Sequence, residues 1–223
     1  MRQIPLPIGV EAARTFDNFA PGANAAAIDH LKTLAPQAAP VYLWGASGSG
    51  KTHLLHALVN RLQAQGARAG WFDADDRAPW PFNEAWATIV LDDCERLDAD
   101  RQHAAFTLFV EAGTRGVPVV AAGRVPPVDL PLREDLRTRL GWGHVFAILP
   151  LSESEARATL RRAADLRGIF LSDEVMSYLL TRFARDLKHL MALLDRLDAF
   201  SLATKRQITV PLLKQMLAEE RGT

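Results

Sequence analysis

Residues 41–55 read Val41-Tyr42-Leu43-Trp44-Gly45-Ala46-Ser47-Gly48-Ser49-Gly50-Lys51-Thr52-His53-Leu54-Leu55. Four apolar residues predict a short buried strand. A glycine-rich turn follows, and then Leu54, Leu55, Leu58 and Leu62 recur at helical spacing. The turn, Gly45-Ala46-Ser47-Gly48-Ser49-Gly50-Lys51-Thr52, matches G-x-x-x-x-G-K-[ST]. Glycines let the backbone curl so that several N–H groups converge on one anion. A helix starting after Gly50 adds its positive end to the same point. Lys51 then neutralises phosphate charge, and the Thr52 hydroxyl is placed to ligate Mg²⁺. The alternative, an incidental glycine turn, does not account for a strand before it and an amphipathic helix after it.

Moving outward, Ala69–Asp73, Ala87–Leu91 and Val117–Ala122 read as further strands, and Phe146–Leu149 as a fifth. Helical patterns fall at Ala23–Leu34 and Ala104–Ala112. Strands alternating with helices predict a parallel sheet covered on both faces. The strand Ile89-Val90-Leu91 ends in Asp92-Asp93. Carboxylates at the C-terminal edge of such a sheet suit Mg²⁺ association for Asp92 and a hydrolytic base for Asp93. The plainer reading is a pair of turn-forming aspartates.

After Pro150 the strand signals give way to helices. Ser152-x-x-Glu155 is a capping box, and that helix should stop near Gly168. Ser172, Asp186 and Thr209 are placed to open three more, the third with Leu187, Leu190, Met191, Leu194 and Leu197 as its stripe. The chain therefore divides into an extended tail over 1–10, an α/β domain over 11–150 and a helical subdomain over 151–223.

The 26 basic and 26 acidic residues cancel, so no global field draws the chain to DNA or to a membrane surface. From 151 to 223 there are 12 Lys/Arg against 10 Asp/Glu, again close to balance, and Arg161, Arg162 and Arg167 read as a solvated face. The single cysteine, Cys94, excludes an internal disulfide framework and reads as a packing residue. No apolar run reaches membrane-spanning length, and no secretory signal opens the chain, so a cytoplasmic protein is expected. His53 and His56 lack metal-ligand partners in sequence. The five tryptophans are scattered and read as packing residues more than as a base-stacking platform, although Trp44 and Trp142 flank the motifs and are placed to shape a pocket.

Taken together these motifs resemble the DnaA family of AAA+ ATPases, bacterial replication initiators, and in particular its shorter Hda-type regulators, which switch the initiator off. The resemblance covers nearly the whole chain. Thr15-Phe16-Asp17-Asn18-Phe19 is similar to the family's box before the phosphate loop, which implies that Phe16 and Phe19 lie near the adenine. Asp135-Leu136-Arg137-Thr138-Arg139-Leu140-Gly141-Trp142-Gly143 resembles its arginine-finger box, with Arg139 as the finger acting in trans. The plainer reading of Arg139 is a pair with Asp135 four residues earlier on a helix. The family implies an AAA+ α/β domain with a parallel sheet flanked by helices, followed by a small all-α lid.

Two positions depart from the family pattern. A polar sensor after the fourth strand is replaced in Ala121-Ala122-Gly123-Arg124, and Lys188 stands where the lid offers a sensor arginine. Lysine keeps the charge and loses the bidentate fork. Both departures predict weak intrinsic hydrolysis with nucleotide binding intact, and the resemblance implies a resident ADP (or ATP) with Mg²⁺.

Gln3-Ile4-Pro5-Leu6-Pro7-Ile8 resembles the peptide by which replication proteins dock on the sliding clamp of DNA polymerase. Its prolines hold it extended, Gln3 offers an amide, and Ile4, Leu6, Pro7 and Ile8 offer apolar contact. An ordinary unstructured N-terminus is the competing reading. The implied partners are the DnaA initiator and the clamp, with DNA reached only through the clamp, no membrane, and a homo-oligomer left open. The chain ends at Thr223 straight after the last expected lid helix, so sequence-specific duplex binding by a further domain is not expected. The rival assignments are an ATP-driven AAA+ helicase loader and an initiator-type ATPase.

Overall fold

In the computed structural model the strand that precedes the glycine turn, β1 (Val41–Trp44), lies inside a five-stranded sheet. The structure describes residues 13–183 and 187–221, apart from the side chains of Lys188, Glu220 and Arg221. With β2 (Arg68–Phe72), β3 (Trp86–Leu91), β4 (Val119–Gly123) and β5 (His144–Ala147), the order is β2-β3-β4-β1-β5. Every pairing is parallel, and Val41 stands opposite Val120 on one side and His144 on the other. Parallel strands need crossovers, and helices supply them.

The period-two alternation of the strands divides the core between the two faces. Val41 and Leu43 of β1, Val90 of β3 and Val120 and Ala122 of β4 pack with α1 (Ala25–Lys32) and α2 (Lys51–Ala64) through Ile28, Leu31, Leu54, Leu55 and Leu58. The opposite residues, Tyr42, Ile89, Leu91, Val119 and Ala121, pack with α3 (Ala99–Arg115) and α4 (Glu134–Gly141) through Leu108, Phe109, Leu136 and Leu140. Central strands covered on both faces must be apolar throughout, which is why their sequences read as continuous runs.

The expected boundaries shift where polar residues belong to elements. β5 begins at His144, ahead of the expected Phe146–Leu149, because Ile148 and Leu149 follow the strand. β4 starts at Val119, since the Pro118 carbonyl instead accepts from the Thr88 hydroxyl and the Ile89 amide. α1 is shorter than Ala23–Leu34, its first turn being a 3₁₀ turn over Gly22–Asn24. α3 is longer than Ala104–Ala112, because the Asp98 carboxylate accepts the Arg101 N–H and caps a polar first turn.

Residues 13–149 form one compact unit, and the described residues from 150 onward belong to another. The second contains α5 (Glu153–Leu166), α6 (Asp173–Arg182), α7 (Leu187–Thr204) and α8 (Val210–Arg221). Ser152 and Glu155 form the capping box at α5, and Gly168, at φ +69, follows its end. Ser172 caps α6 by accepting from the Val175 N–H. Thr209 accepts the Leu212 amide at 3.4 Å before α8, whereas Asp186 lies outside the described residues. Leu160, Met176, Leu179, Leu190, Leu194, Leu197 and Leu213 are fully buried at the centre of this bundle. No described helix is long and apolar enough to cross a membrane.

Candidate nucleotide-binding site and arginine face

The turn between β1 and α2 closes on Lys51. This ammonium is 7% exposed and donates to the Gly45 carbonyl at 2.8 Å and the Ala46 carbonyl at 3.0 Å. Among the described residues no carboxylate forms an ion pair with it. Burial pulls its pKa below the ordinary lysine value, and Glu95, Asp92 and Asp93 push it back up. A buried ammonium answered only by carbonyl dipoles is an unneutralised cation, which is the electrostatic condition for holding an anion. The Ser49 hydroxyl in the same turn is also buried and has no partner among the described residues, whereas Ala46, Ser47 and Gly48 of the turn are exposed. Gly50, at φ +103, opens α2 in a left-handed conformation, and a Cβ there would lie 2.5 Å from the Phe19 ring.

Thr52 and Asp92 come together although 40 residues apart: the Thr52 hydroxyl donates to the Asp92 carboxylate at 2.7 Å. The Asp93 amide donates to the other Asp92 oxygen at 2.9 Å. Burial raises the Asp92 pKa, and these two donors oppose the rise. A hydroxyl and a carboxylate beside such a glycine turn are the two protein ligands that a phosphate-bound Mg²⁺ commonly takes. Asp93 sits in the left-handed region at φ 49, and its carboxylate contacts Arg96 at 3.4 Å, which also pairs with Asp75 at 3.0 Å. As a base it would first have to leave Arg96.

The Thr15–Phe19 segment packs beside this cradle. The His53 Nε2–H on the first turn of α2 donates to the Thr15 carbonyl at 2.9 Å, and its ring lies 5.3 Å from that of Phe19. Phe16 packs into the core under α1 and α2, with the Lys32 ammonium 5.9 Å from its ring. His56 stacks on Trp71, with ring centroids 4.3 Å apart. Gln3, Ile4, Leu6, Pro7 and Ile8 lie outside the described residues, and so does the side chain of Lys188.

A second constellation lies on α4. Arg139 does not pair with Asp135, because that carboxylate is taken by Arg133 at 2.6 Å and by the Leu136 amide at 2.8 Å. Its guanidinium lies over the Phe106 ring of α3, 4.9 Å from the centroid. Phe106, Arg133, Thr138, Arg139 and Trp142 border one open pocket of ≈ 880 Å³. Trp142 is 79% exposed and lines this pocket, in keeping with its place beside the motif. The glycine after it has a steric reason: a Cβ on Gly143 would collide with the backbone of Pro40, whose carbonyl accepts the His144 amide at 2.8 Å. That close approach fixes where α4 ends and β5 begins.

The helical lid carries its own family signature, since residues 153–217 match the lid domain of Hda. Residues 10–75, which hold the phosphate loop, match the bacterial DnaA ATPase domain. The chain is a Hda/DnaA-like AAA+ protein. Its fold is shared with domain III of the Thermotoga maritima initiation protein DnaA, at 22% identity and TM-score 0.77 over 95% of this chain and 98% of that one. AMPPCP-bound DnaA from Aquifex aeolicus is similar at 21% identity and TM-score 0.76, over 95% of this chain and 70% of that one. A point mutant of Thermotoga maritima RuvB shares the fold more distantly, at 17% identity and TM-score 0.66 over 92% of this chain and 72% of that one. In this AAA+ chain the glycine turn, the Asp92 strand end and the arginine helix all belong to the α/β unit.

The polar network around Gly123 was not legible in the sequence. A Cβ on Gly123 would collide with the Tyr42 hydroxyl and approach the Glu95 carboxylate to 3.2 Å. The Tyr42 hydroxyl donates to the Val125 carbonyl at 3.0 Å, and Glu95 pairs with Arg124 at 2.9 Å. Burial raises the Tyr42 pKa, with Cys94 and Glu95 adding to the rise. Glu95 stands only two residues from Asp93, but nothing in its spacing marks it as a neighbour of β4.

Proposed function

We propose that the protein is an ADP-bound AAA+ regulator that docks on the DNA-loaded sliding clamp and promotes hydrolysis of ATP held by the initiator DnaA. Re-initiation of replication is thereby prevented. The observation that carries this reading is Arg139. Its guanidinium lies over the Phe106 ring, 4.9 Å from the centroid, and has no carboxylate partner among the described residues. A guanidinium that rests on a ring and not on a carboxylate keeps N–H donors for phosphate oxygens. In phosphoryl transfer an arginine supplied from a neighbouring protein stabilises charge developing on those oxygens.

On this reading 1–10 is a clamp-binding tail using Gln3, Ile4, Leu6, Pro7 and Ile8, 11–150 the nucleotide-binding domain and 151–223 the lid. The Gly45–Thr52 turn holds the phosphates through its amides and Lys51, with Ser47 and Ser49 offering hydroxyls. Thr52 and Asp92 hold Mg²⁺, which when bound neutralises phosphate charge. Phe16, Phe19 and Lys188 complete the nucleotide surroundings. Gly123 supplies no side chain to a third phosphate and Asp93 is engaged by Arg96, so turnover by the chain alone is weak and ADP is retained.

The test is a reconstituted assay with radiolabelled ATP on purified DnaA, a clamp loaded on DNA and this protein. Conversion of the initiator's ATP to ADP should require both this protein and the loaded clamp. Deleting residues 1–8 should abolish clamp binding and stimulation while leaving the folded α/β unit unchanged. Multiple turnover of free ATP by the protein alone, with no effect on DnaA, would point instead to an ATP-driven remodeller.

A further inference from the structure

The end of β4 carries a charged pair that the phosphate-site motifs do not include. Glu95 lies on the turn Cys94–Arg96 that follows the Asp92-Asp93 strand end, and its side chain is 14% exposed. One of its oxygens meets Arg124 Nε at 2.9 Å, and the other accepts the Arg124 amide at 3.2 Å. That second oxygen borders the space a side chain on Gly123 would enter, with the Tyr42 hydroxyl closing the same space from β1. The network is thus built from β1 and the ends of β3 and β4, the three strands whose C-terminal ends carry the phosphate turn, Asp92 and Gly123.

The pair also belongs to the cradle electrostatically. Burial lowers the Lys51 pKa, the Glu95 carboxylate together with Asp92 and Asp93 raises it, and Arg124 acts in the opposite sense to these carboxylates. Asp92 is answered by the Thr52 hydroxyl and stands ready for a divalent cation. Both Glu95 oxygens are held by Arg124, which places the carboxylate beside Gly123, whose carbonyl accepts the amide of Gly45, the first residue of the phosphate turn, at 3.2 Å. A diphosphate and a triphosphate differ there mainly by additional negative charge.

We infer that Glu95, held by Arg124 beside Gly123, sets the nucleotide preference of this site by disfavouring the extra negative charge of a triphosphate. The inference rests on the reading of the Gly45–Thr52 turn as a nucleotide site. It goes further in assigning the preference to a charge that is present, where a missing side chain at Gly123 alone would only leave the third phosphate unsupported.

The experiment is calorimetric titration of the full chain with MgADP and with the magnesium complex of the β,γ-methylene analogue of ATP, read as the ratio of the two dissociation constants. Glu95→Gln keeps the shape and an acceptor for the Arg124 amide, and should move the ratio toward the triphosphate by about tenfold. Glu95→Asp retains the charge and should keep the parent preference. Arg124→Gln leaves the carboxylate unpaired and should move the ratio the other way. Thermal unfolding of each variant without nucleotide reports whether the network survives. An unchanged ratio in Glu95→Gln, or equal shifts in Glu95→Gln and Glu95→Asp, overturns the assignment of Glu95 alone. A parent protein that binds neither nucleotide overturns the underlying nucleotide reading instead.

Discussion

Lys51 and Arg139 are both cations without a carboxylate partner among the described residues, and the molecule holds them in opposite ways. Lys51 is buried at the start of α2, with two loop carbonyls as its acceptors. Arg139 is half-buried on α4 and lies on an aromatic ring beside an exposed tryptophan. The first arrangement excludes water and waits for an anion that enters the protein. The second rests a guanidinium on a ring and leaves its donors to whatever meets the surface. One cation therefore suits a ligand of this chain, and the other suits a ligand carried by a partner.

The sharpest way to break that contrast is Arg139→Ala. Stimulated hydrolysis of the initiator's ATP should fall by about 10³-fold or more, the usual size of an arginine supplied in trans. ADP affinity and unfolding temperature should stay near the parent's, because no ion pair is lost. A variant that stimulates normally, or that fails only because it unfolds, removes Arg139 from the role. Lys51→Ala should do the converse. MgADP affinity measured by calorimetry should drop by about 100-fold, the scale of losing charge-assisted hydrogen bonds in a buried site. Equal ADP affinity in this variant would mean that the turn is not the phosphate site.

A smaller effect is expected at Phe106→Leu, which keeps an apolar side chain and removes the ring under Arg139. Stimulation should fall by about tenfold while clamp binding is retained, since a cation–π contact orients the guanidinium at modest cost. If stimulation is unaffected, stacking is incidental to the arginine's action. The smallest expected change concerns pH and the cradle side alone. Burial lowers the His53 pKa below 6.5, Arg14 lowers it further, and the bond to the Thr15 carbonyl opposes both. The folded state then binds fewer protons than the unfolded chain, so stability is complete above pH 6.5 and declines as pH falls below it. Unfolding midpoints at about pH 7.5 and about pH 5.5, on either side of the ordinary histidine value, should differ, and His53→Gln should narrow the gap. His30, lowered by burial and by His144, contributes in the same sense. A gap that stays the same in the variant excludes His53 as a source.

Much of the sheet was legible because its central strands are apolar on both faces and end in glycine or aspartate. The capping box at Ser152 was legible for a similar reason, since its signal is local. α4 was harder to see as an element. Only Leu136 and Leu140 of its eight residues are buried, too few to establish a helical period. The Thr52–Asp92 hydrogen bond was foreshadowed by the two motifs that carry it. The Glu95–Arg124–Tyr42 network was not, because it joins a residue of β1 to residues that follow β3 and β4, and their meeting depends on sheet order. Trp142 was legible from its place beside the arginine motif more than from its residue type, since it is exposed and lines the pocket there.

The exposure of Trp142 has a practical side. Trp80 is almost fully buried and Trp44, Trp71 and Trp86 are partly so, which leaves Trp142 as the indole most open to water. Water around an excited indole shifts its emission to longer wavelength, and a covering protein surface reverses the shift. The arginine face therefore carries its own optical label. Binding of a nucleotide-loaded partner there should be visible as a blue shift in native fluorescence, without dye or tag, and Trp142→Phe should remove that signal while leaving the emission of the other indoles unchanged.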